Sequence, residues 1–435
     1  MATKAPAKSG SKHKPRAKSG KPGRFLSRHR HLRHILIGLA LLLIVIGLLS
    51  LILSIAGSIR QDRLQPFYNT AGLPAKGPLG QIVRRESLGV KVDGGKAYRI
   101  LYRTQQANGN FTFSSGRVFI PDNSNAGSPR PVVAWAHGTM GLGDQCAPSR
   151  TVNPIADFGW VSNMLKKGWV VTATDYAGFG TPGTQGYLVG GDEARDVLNS
   201  VRAVRGIPGA QAGPDFVVWG HSQGGASALF TASEAAAYAP ELKLTGTVAS
   251  APAAELVSLL DQQYGSVADW VIGPLIMTSW PNADPALNPD DIMTTLGRDN
   301  YHRIADHCIG QSTLIGLVRN ALGQKFFAVN PLTVPAWKHM AGQQSAPLLK
   351  PGQPLMVVES TGDKVVLPDT TALYIQQSCK AGVGPRTLWL GNVSHQNIPD
   401  KSEADVIPWI AARFAHQPNP SSCSQPLPVK PYAAS

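Results

Sequence analysis

Residues 217–225, VVWGHSQGG, constrain the architecture of this 435-residue chain more than any other stretch. The apolar run 216–219 has the composition of a strand, and an Ala-rich helical pattern starts at Gln223. Between them, Gly220-His221-Ser222-Gln223-Gly224 fits Gly-x-Ser-x-Gly, in which a serine rides a sharp strand-to-helix turn. Such a turn crowds its own backbone, and glycines at 220 and 224 remove the side chains that would collide there. Gly225 eases the approach further. The helix N-terminus beneath Ser222 offers free N–H groups and a positive dipole end to developing negative charge. With 45 glycines in the chain the bare pattern arises easily by chance, so its weight rests on the flanking strand and helix. His221, next to Ser222 on the strained turn, points elsewhere and reads as a packing position.

A serine hydroxyl is a weak nucleophile and needs a positioned base, itself oriented by a carboxylate. On a strand–turn–helix scaffold of this kind the partners follow in the order Ser, Asp or Glu, His. Only His395 and His416 come after the last strand-like runs. His395, in GNVSHQN, sits on a loop at a strand's carboxyl end, whereas His416 lies beside the Pro-rich tail at a surface-like position. His395 is therefore the candidate base. Asp363 lies in a turn after the apolar run LMVVE and is the candidate acid, with Glu359 in reserve at the strand's end. Asp405 falls on a solvated helix face. An oxyanion needs backbone donors, each worth about 3 kcal/mol in a transition state. The Gln223 N–H supplies one, and the loop His137-Gly138-Thr139 after PVVAWA supplies the other, through Thr139 or alternatively Gly138. His137 either orients that loop or is a satisfied structural histidine. Asp175 precedes the serine, breaks the expected order, and reads as structural, capping the loop through Gly178 and Gly180.

Strand-like runs at 116–120, 132–136, 169–174, 216–219, 244–250, 354–359 and 387–390 alternate with helical patterns at 160–167, 192–204, 223–238, 368–379 and 402–415. That rhythm predicts a mostly parallel sheet with helices on both faces. From 253 to 349 the sequence is helical, rich in Trp, Met and Pro, and lacks strand-like runs, which predicts a cap over the sheet's carboxyl edge. The core is then 109–252 with 350–416, followed by a Pro-rich tail at 417–435.

The net charge of +14 does not belong to this core, because residues 1–34 carry eleven Lys or Arg and no acid. The rest is nearly balanced, which argues against nucleic-acid binding by the folded part. Residues 35–59 form an uncharged apolar run, long enough as a helix to cross a hydrocarbon core about 30 Å thick. Removable signal peptides have apolar regions of about 7–15 residues, so this one reads as an uncleaved membrane anchor. Small residues at Ser54, Ala56 and Ser58 leave late cleavage and secretion as the alternative. Positive residues before the span place residues 60–435 outside the cell membrane. Residues 60–108, punctuated by Pro66, Pro74 and Pro78, read as stalk and lead-in. Cys146, Cys308, Cys379 and Cys423 are then exported, an even count that suits two disulfides. Their spacing fits no CxxC motif, so neither a metal nor any other cofactor is expected.

The motifs AHGTMG, ATDYAGFGTPG, GHSQGG, STGDKVVLP and VSH, in that order, resemble the secretory lipase family of the α/β-hydrolase superfamily over residues 101–423. Fungal lipase A enzymes and actinobacterial proteins belong to it. Fungal members carry an acidic residue where this chain has Thr139. The resemblance implies pairing of Cys146 with Cys308 and of Cys379 with Cys423, and lipase or carboxylesterase chemistry beneath a helical cap. The expected partner is a lipid or other acyl ester. Acyl transfer to an envelope-lipid alcohol, peptide hydrolysis and a non-catalytic binding module are the competing readings.

Overall fold

The computed structural model describes residues 1–5, 7, 10, 23–122, 129–157 and 159–433. Residues 6, 8, 9 and 11–22 of the basic tail therefore lie outside the described residues, as do 434 and 435. The chain divides into two units, 1–63 and 64–435. In the first, helix α1 (Gly23–Tyr68) begins before the apolar run and continues past it into the second unit. Its stretch Leu36–Tyr68 contains an 18-residue window of mean hydropathy 3.1 and is long and apolar enough to cross a membrane. Leu36, Leu41, Val45, Leu49 and Ile52 are exposed. The apolar part of α1 is rich in Leu, Ile and Ala, and charged residues flank it, Arg24 to Arg33 before and Arg60 to Arg63 after.

The second unit is built on nine strands: β1 (Ile82–Ser87), β2 (Gly95–Gln105), β3 (Phe111–Pro121), β4 (Arg130–Ala136), β5 (Val170–Thr174), β6 (Ala212–His221), β7 (Lys243–Ser250), β8 (Leu355–Ser360) and β9 (Arg386–Leu390). Their order in the sheet is β1-β2-β3-β5-β4-β6-β7-β8-β9. From β5 to β9 every neighbour pair is parallel, while β1, β2 and β3 are antiparallel to their neighbours. The central strands read VVAWA, VVTAT and FVVW because both faces are covered by helices, which removes any alternation. Helices α2 (Val161–Lys166), α3 (Gly190–Arg205) and α4 (Gln223–Tyr238) follow β4, β5 and β6.

Here the structure departs from the sequence reading. Residues 60–108, expected to be stalk and lead-in, hold both β1 and β2. Their arginines disguise them: Arg99 is buried but paired with Glu86 at 3.1 Å, and Arg84 donates to the Phe67 carbonyl at 2.9 Å.

Seven helices fill 253–349: α5 (Leu256–Gln263), α6 (Ala268–Val271), α7 (Gly273–Ala283), α8 (Thr295–Arg298), α9 (Tyr301–Ala305), α10 (Ile309–Ala321) and α11 (Pro335–Gln343). Trp270, Ile276, Met277, Trp280, Phe326, Phe327 and Trp337 are buried and Ile272 is half-buried, in one hydrophobic cluster with residues of the sheet. It docks on the loop after β4, where Leu142 N–H donates to Ala305 O and Ile309 N–H to Met140 O, both at 2.8 Å. Gly141 and Gly143 permit that approach, since a Cβ on either would strike the backbone of His307 or Asp306. The Cys146–Cys308 disulfide closes the same junction. Helices α12 (Pro368–Lys380) and α13 (Ile398–Phe414) complete the layers, and Cys379–Cys423 ties the C-terminal segment to α12.

Candidate active site

β6 delivers Ser222 at its carboxyl end, immediately before α4, with φ 60° and ψ −120°. Non-glycine residues avoid that region, and here neighbouring backbone enforces it. A Cβ on Gly220 would strike the Gly224 carbonyl, and one on Gly224 would strike those of Ala136 and His137. Ser222 N–H donates to Ser250 O at 2.9 Å, while its carbonyl accepts from Gly225 N–H at 2.9 Å and Ala253 N–H at 3.1 Å. The turn is thereby fastened to β7 and to the start of the cap.

His395 opens a short 3-10 turn beyond β9 and is buried. Its Nδ1 lies 2.5 Å from Asp363 Oδ2. The other oxygen, Oδ1, accepts from the amides of Val365 at 2.7 Å and Val366 at 3.2 Å, which fixes the carboxylate in its turn after β8. With Nδ1 facing a carboxylate, the imidazole proton sits there and Nε2 keeps its lone pair for a proton acceptor's role. Glu359 lies beside Asp363 and not against His395. Its oxygens accept from Ser360 N–H at 2.7 Å and from Thr371 Oγ1 at 2.5 Å. Burial, and then the Asp363 charge, hold its carboxyl well above the usual carboxylate range.

His221 links the two halves of the site. Its Nε2 donates to the His395 carbonyl at 3.0 Å, and the two rings stand 4.5 Å apart. Burial, with the neighbouring His395, pushes its pKa well below the usual histidine value, so it stays neutral and packs. His416 is exposed, 3.9 Å from Asp215, outside this cluster, and Asp405 is exposed on α13.

Gly138 is the close neighbour of Ser222 on the other side, since a Cβ on it would lie 3.3 Å from Ser222 Cβ and from His221 Nδ1. Thr139 Oγ1 meets Tyr187 OH at 2.9 Å. His137 is buried: its Nδ1 is 2.7 Å from the Gly138 carbonyl, and burial lowers its pKa. Asp175 is structural, but through partners other than the expected glycine loop. It accepts from Ser115 Oγ at 2.7 Å, Ser149 N–H at 3.0 Å and Ser149 Oγ. The loop after β5 is held instead by Asp196, which accepts from Ala177 N–H at 2.7 Å.

The secretory lipase family model matches residues 145–422, nearly two thirds of the chain. This chain belongs to the secretory lipase family. It is a carboxylic ester hydrolase of the α/β-hydrolase fold by that membership. Lipase 1 of Candida albicans is 21% identical, with 88% of this chain and 87% of that one covered. A probable inactive lipase of Mycobacterium tuberculosis is 24% identical, with 74% of each covered. Among solved structures, lipase A of Candida antarctica in its closed state aligns with a TM-score of 0.67 at 15% identity, covering 85% of this chain and 89% of that one. A rice cell wall degrading esterase from Xanthomonas oryzae aligns at 0.65 and 16% identity, covering 78% and 98%.

One residue of this family member escaped the sequence reading. Glu193, in the first turn of α3, has the look of an ordinary helix-start acid. It is buried against the elbow, where it accepts from Gln223 Nε2 at 2.6 Å and Leu188 N–H at 2.9 Å and contacts Ser227 Oγ. Burial pushes its carboxyl up to about 8. A cavity of about 770 Å³ in the cap is lined by Val257, Leu332, Pro335, Lys338, His339 and neighbours. Neither Ser222 nor His395 lines it, so it carries no argument about the chemistry.

Proposed function

We propose that this chain is a membrane-anchored, outward-facing serine lipase or carboxylesterase, with Ser222, His395 and Asp363 as its triad. The observation that carries the reading is a serine at φ 60° whose neighbour His221 bonds the carbonyl of His395, a histidine held 2.5 Å from a buried carboxylate. His395 Nε2 takes the Ser222 proton as Oγ attacks the ester carbonyl. The Gln223 and Thr139 amides, or Gly138 in place of Thr139, receive the oxyanion. His395 then protonates the departing alcohol, and water activated by the same nitrogen releases the acid from Ser222. Asp363 keeps the imidazole in the required tautomer without taking its proton. The α1 apolar stretch anchors the enzyme, and the basic tail before it keeps the N-terminus inside.

Labelling by a fluorophosphonate together with hydrolysis of p-nitrophenyl esters tests the triad. Wild type labels and hydrolyses esters in preference to anilides, and Ser222→Ala does neither. Triad members act as a unit, so the loss spans several orders of magnitude. A Ser222→Ala protein retaining more than a few per cent of activity refutes the assignment. The name of the Mycobacterium tuberculosis relative favours a non-catalytic reading, and an unlabelled, inactive wild type would establish it. Competing alcohols in the same assay separate hydrolysis from acyl transfer.

A further inference from the structure

We propose that Glu193 is a positioning residue, a neutral carboxylic acid that holds both sides of the oxyanion pocket in register. The inference rests on the triad proposed above and concerns how its amide donors are kept in place. Glu193 reaches the pocket from two directions. On one side, its Oε1 accepts from the side chain of Gln223, whose own amide is the first oxyanion donor. On the other, Oε1 accepts from Leu188 N–H, beside Tyr187, whose hydroxyl meets Thr139 on the second donor loop. Leu188 has φ 52°, so the turn needs such an anchor to stay in the left-handed region.

The bonds around Oε2 accommodate a neutral acid, and burial without a cation favours it. Oε1 already accepts two donors, and Oε2 faces Ser227 Oγ. Ser227 Oγ also lies 3.0 Å from the Gln223 carbonyl, which can only accept. The serine's single proton serves that carbonyl when Glu193 Oε2–H supplies the other bond. The titratable groups facing Glu193 are Asp196 further along α3, Tyr187 on the turn before it and Tyr176 after β5. No ion pair among the described residues includes Glu193. A carboxylate there would set an unpaired negative charge beside the site that must receive the oxyanion. Its ionisation, displaced by burial to about 8, therefore opposes turnover on the alkaline side.

The test uses the full chain, with rates divided by fluorophosphonate-titrated sites. Glu193→Gln preserves both acceptor contacts and donates to Ser227, so it turns over within about threefold of wild type. Glu193→Ala loses about 10- to 100-fold in kcat with KM little changed. Gln223→Ala loses a similar factor, and the double variant loses no more than the worse single one, because both act through one link. Wild-type kcat falls as pH rises through about 8, and Glu193→Gln lacks that fall. If Glu193→Ala does not fold, the pH profile of Glu193→Gln decides alone. An unchanged kcat in Glu193→Ala, a Glu193→Gln as slow as Glu193→Ala, or an identical alkaline limb in Glu193→Gln overturns the proposal. A wild type that neither labels nor turns over overturns the triad itself, and this inference with it.

Discussion

Replacing Cys146 and Cys308 together by serine separates what a cystine does for stability from what it does for the site. In the chain-entropy account, a cross-link spanning 162 residues stabilises by about 5 kcal/mol, and one spanning 44, as in Cys379–Cys423, by about 4 kcal/mol. Both double variants then lose stability of similar size, roughly a 5–10 °C fall in Tm for a domain this large. Their effects on turnover differ because of where they sit. Cys146 follows the oxyanion loop, and its partner Cys308 precedes α10 in the segment that receives Leu142 and donates to Met140. Gln145 Nε2 adds a bond to Asp306 O at 2.7 Å. Loosening this junction moves the Thr139 amide, and displacements near 1 Å cost up to about a hundredfold. Cys379–Cys423 pins the C-terminal segment to α12 and does not touch the loop after β4. The assay is thermal unfolding beside kcat per titrated site, below the lower Tm. Loss of kcat in Cys146→Ser/Cys308→Ser with none in Cys379→Ser/Cys423→Ser is expected. Equal kcat in both refutes the idea that the first cystine supports the oxyanion loop.

Two further expectations follow from the elbow and the anchor. Gly224→Ala drives a Cβ onto the Ala136 carbonyl and to 2.6 Å from that of His137, so it should cost about 1–3 kcal/mol and most of the activity per titrated site; a variant with wild-type turnover would show that the turn has room to relax. Protease added to intact spheroplasts should remove the catalytic unit and spare the basic tail, whereas a mature N-terminus near Ala56 to Ser58 would show a secreted enzyme.

Much of the fold was legible because buried parallel strands declare themselves: β4, β5, β6 and β8 carry the buried, largely apolar runs VVAWA, VVTAT, FVVW and LMVV. β1 and β2 were not legible, since an antiparallel edge with Arg84, Arg85, Arg99 and Arg103 along it looks like solvated chain. Only the register beside β3, and Glu86 opposite Arg99, turn those cations into sheet residues. The disulfide pairing came from resemblance, as four cysteines alone permit three connectivities. The structure holds Cys146–Cys308 and Cys379–Cys423.

In the site the same division appears for a chemical reason. Ser222, Asp363 and His395, the proposed triad, stand out because a nucleophile, its base and the base's carboxylate each need a fixed residue type on a particular turn at a strand's end. Glu193 and Glu359 do not stand out, because what each holds depends on which helix packs on which. Glu193 becomes a partner of Gln223 only where α3 lies along α4, and Glu359 meets Thr371 only where α12 returns over β8. Both carboxyls are buried without a cation, a placement that costs several kcal/mol if they ionise and much less if they stay neutral. Burial raises the pKa of both Glu193, beside Gln223, and Glu359, beside Asp363, and sets them apart from ordinary surface carboxylates. That contrast arises from burial, which no local pattern of residues displays.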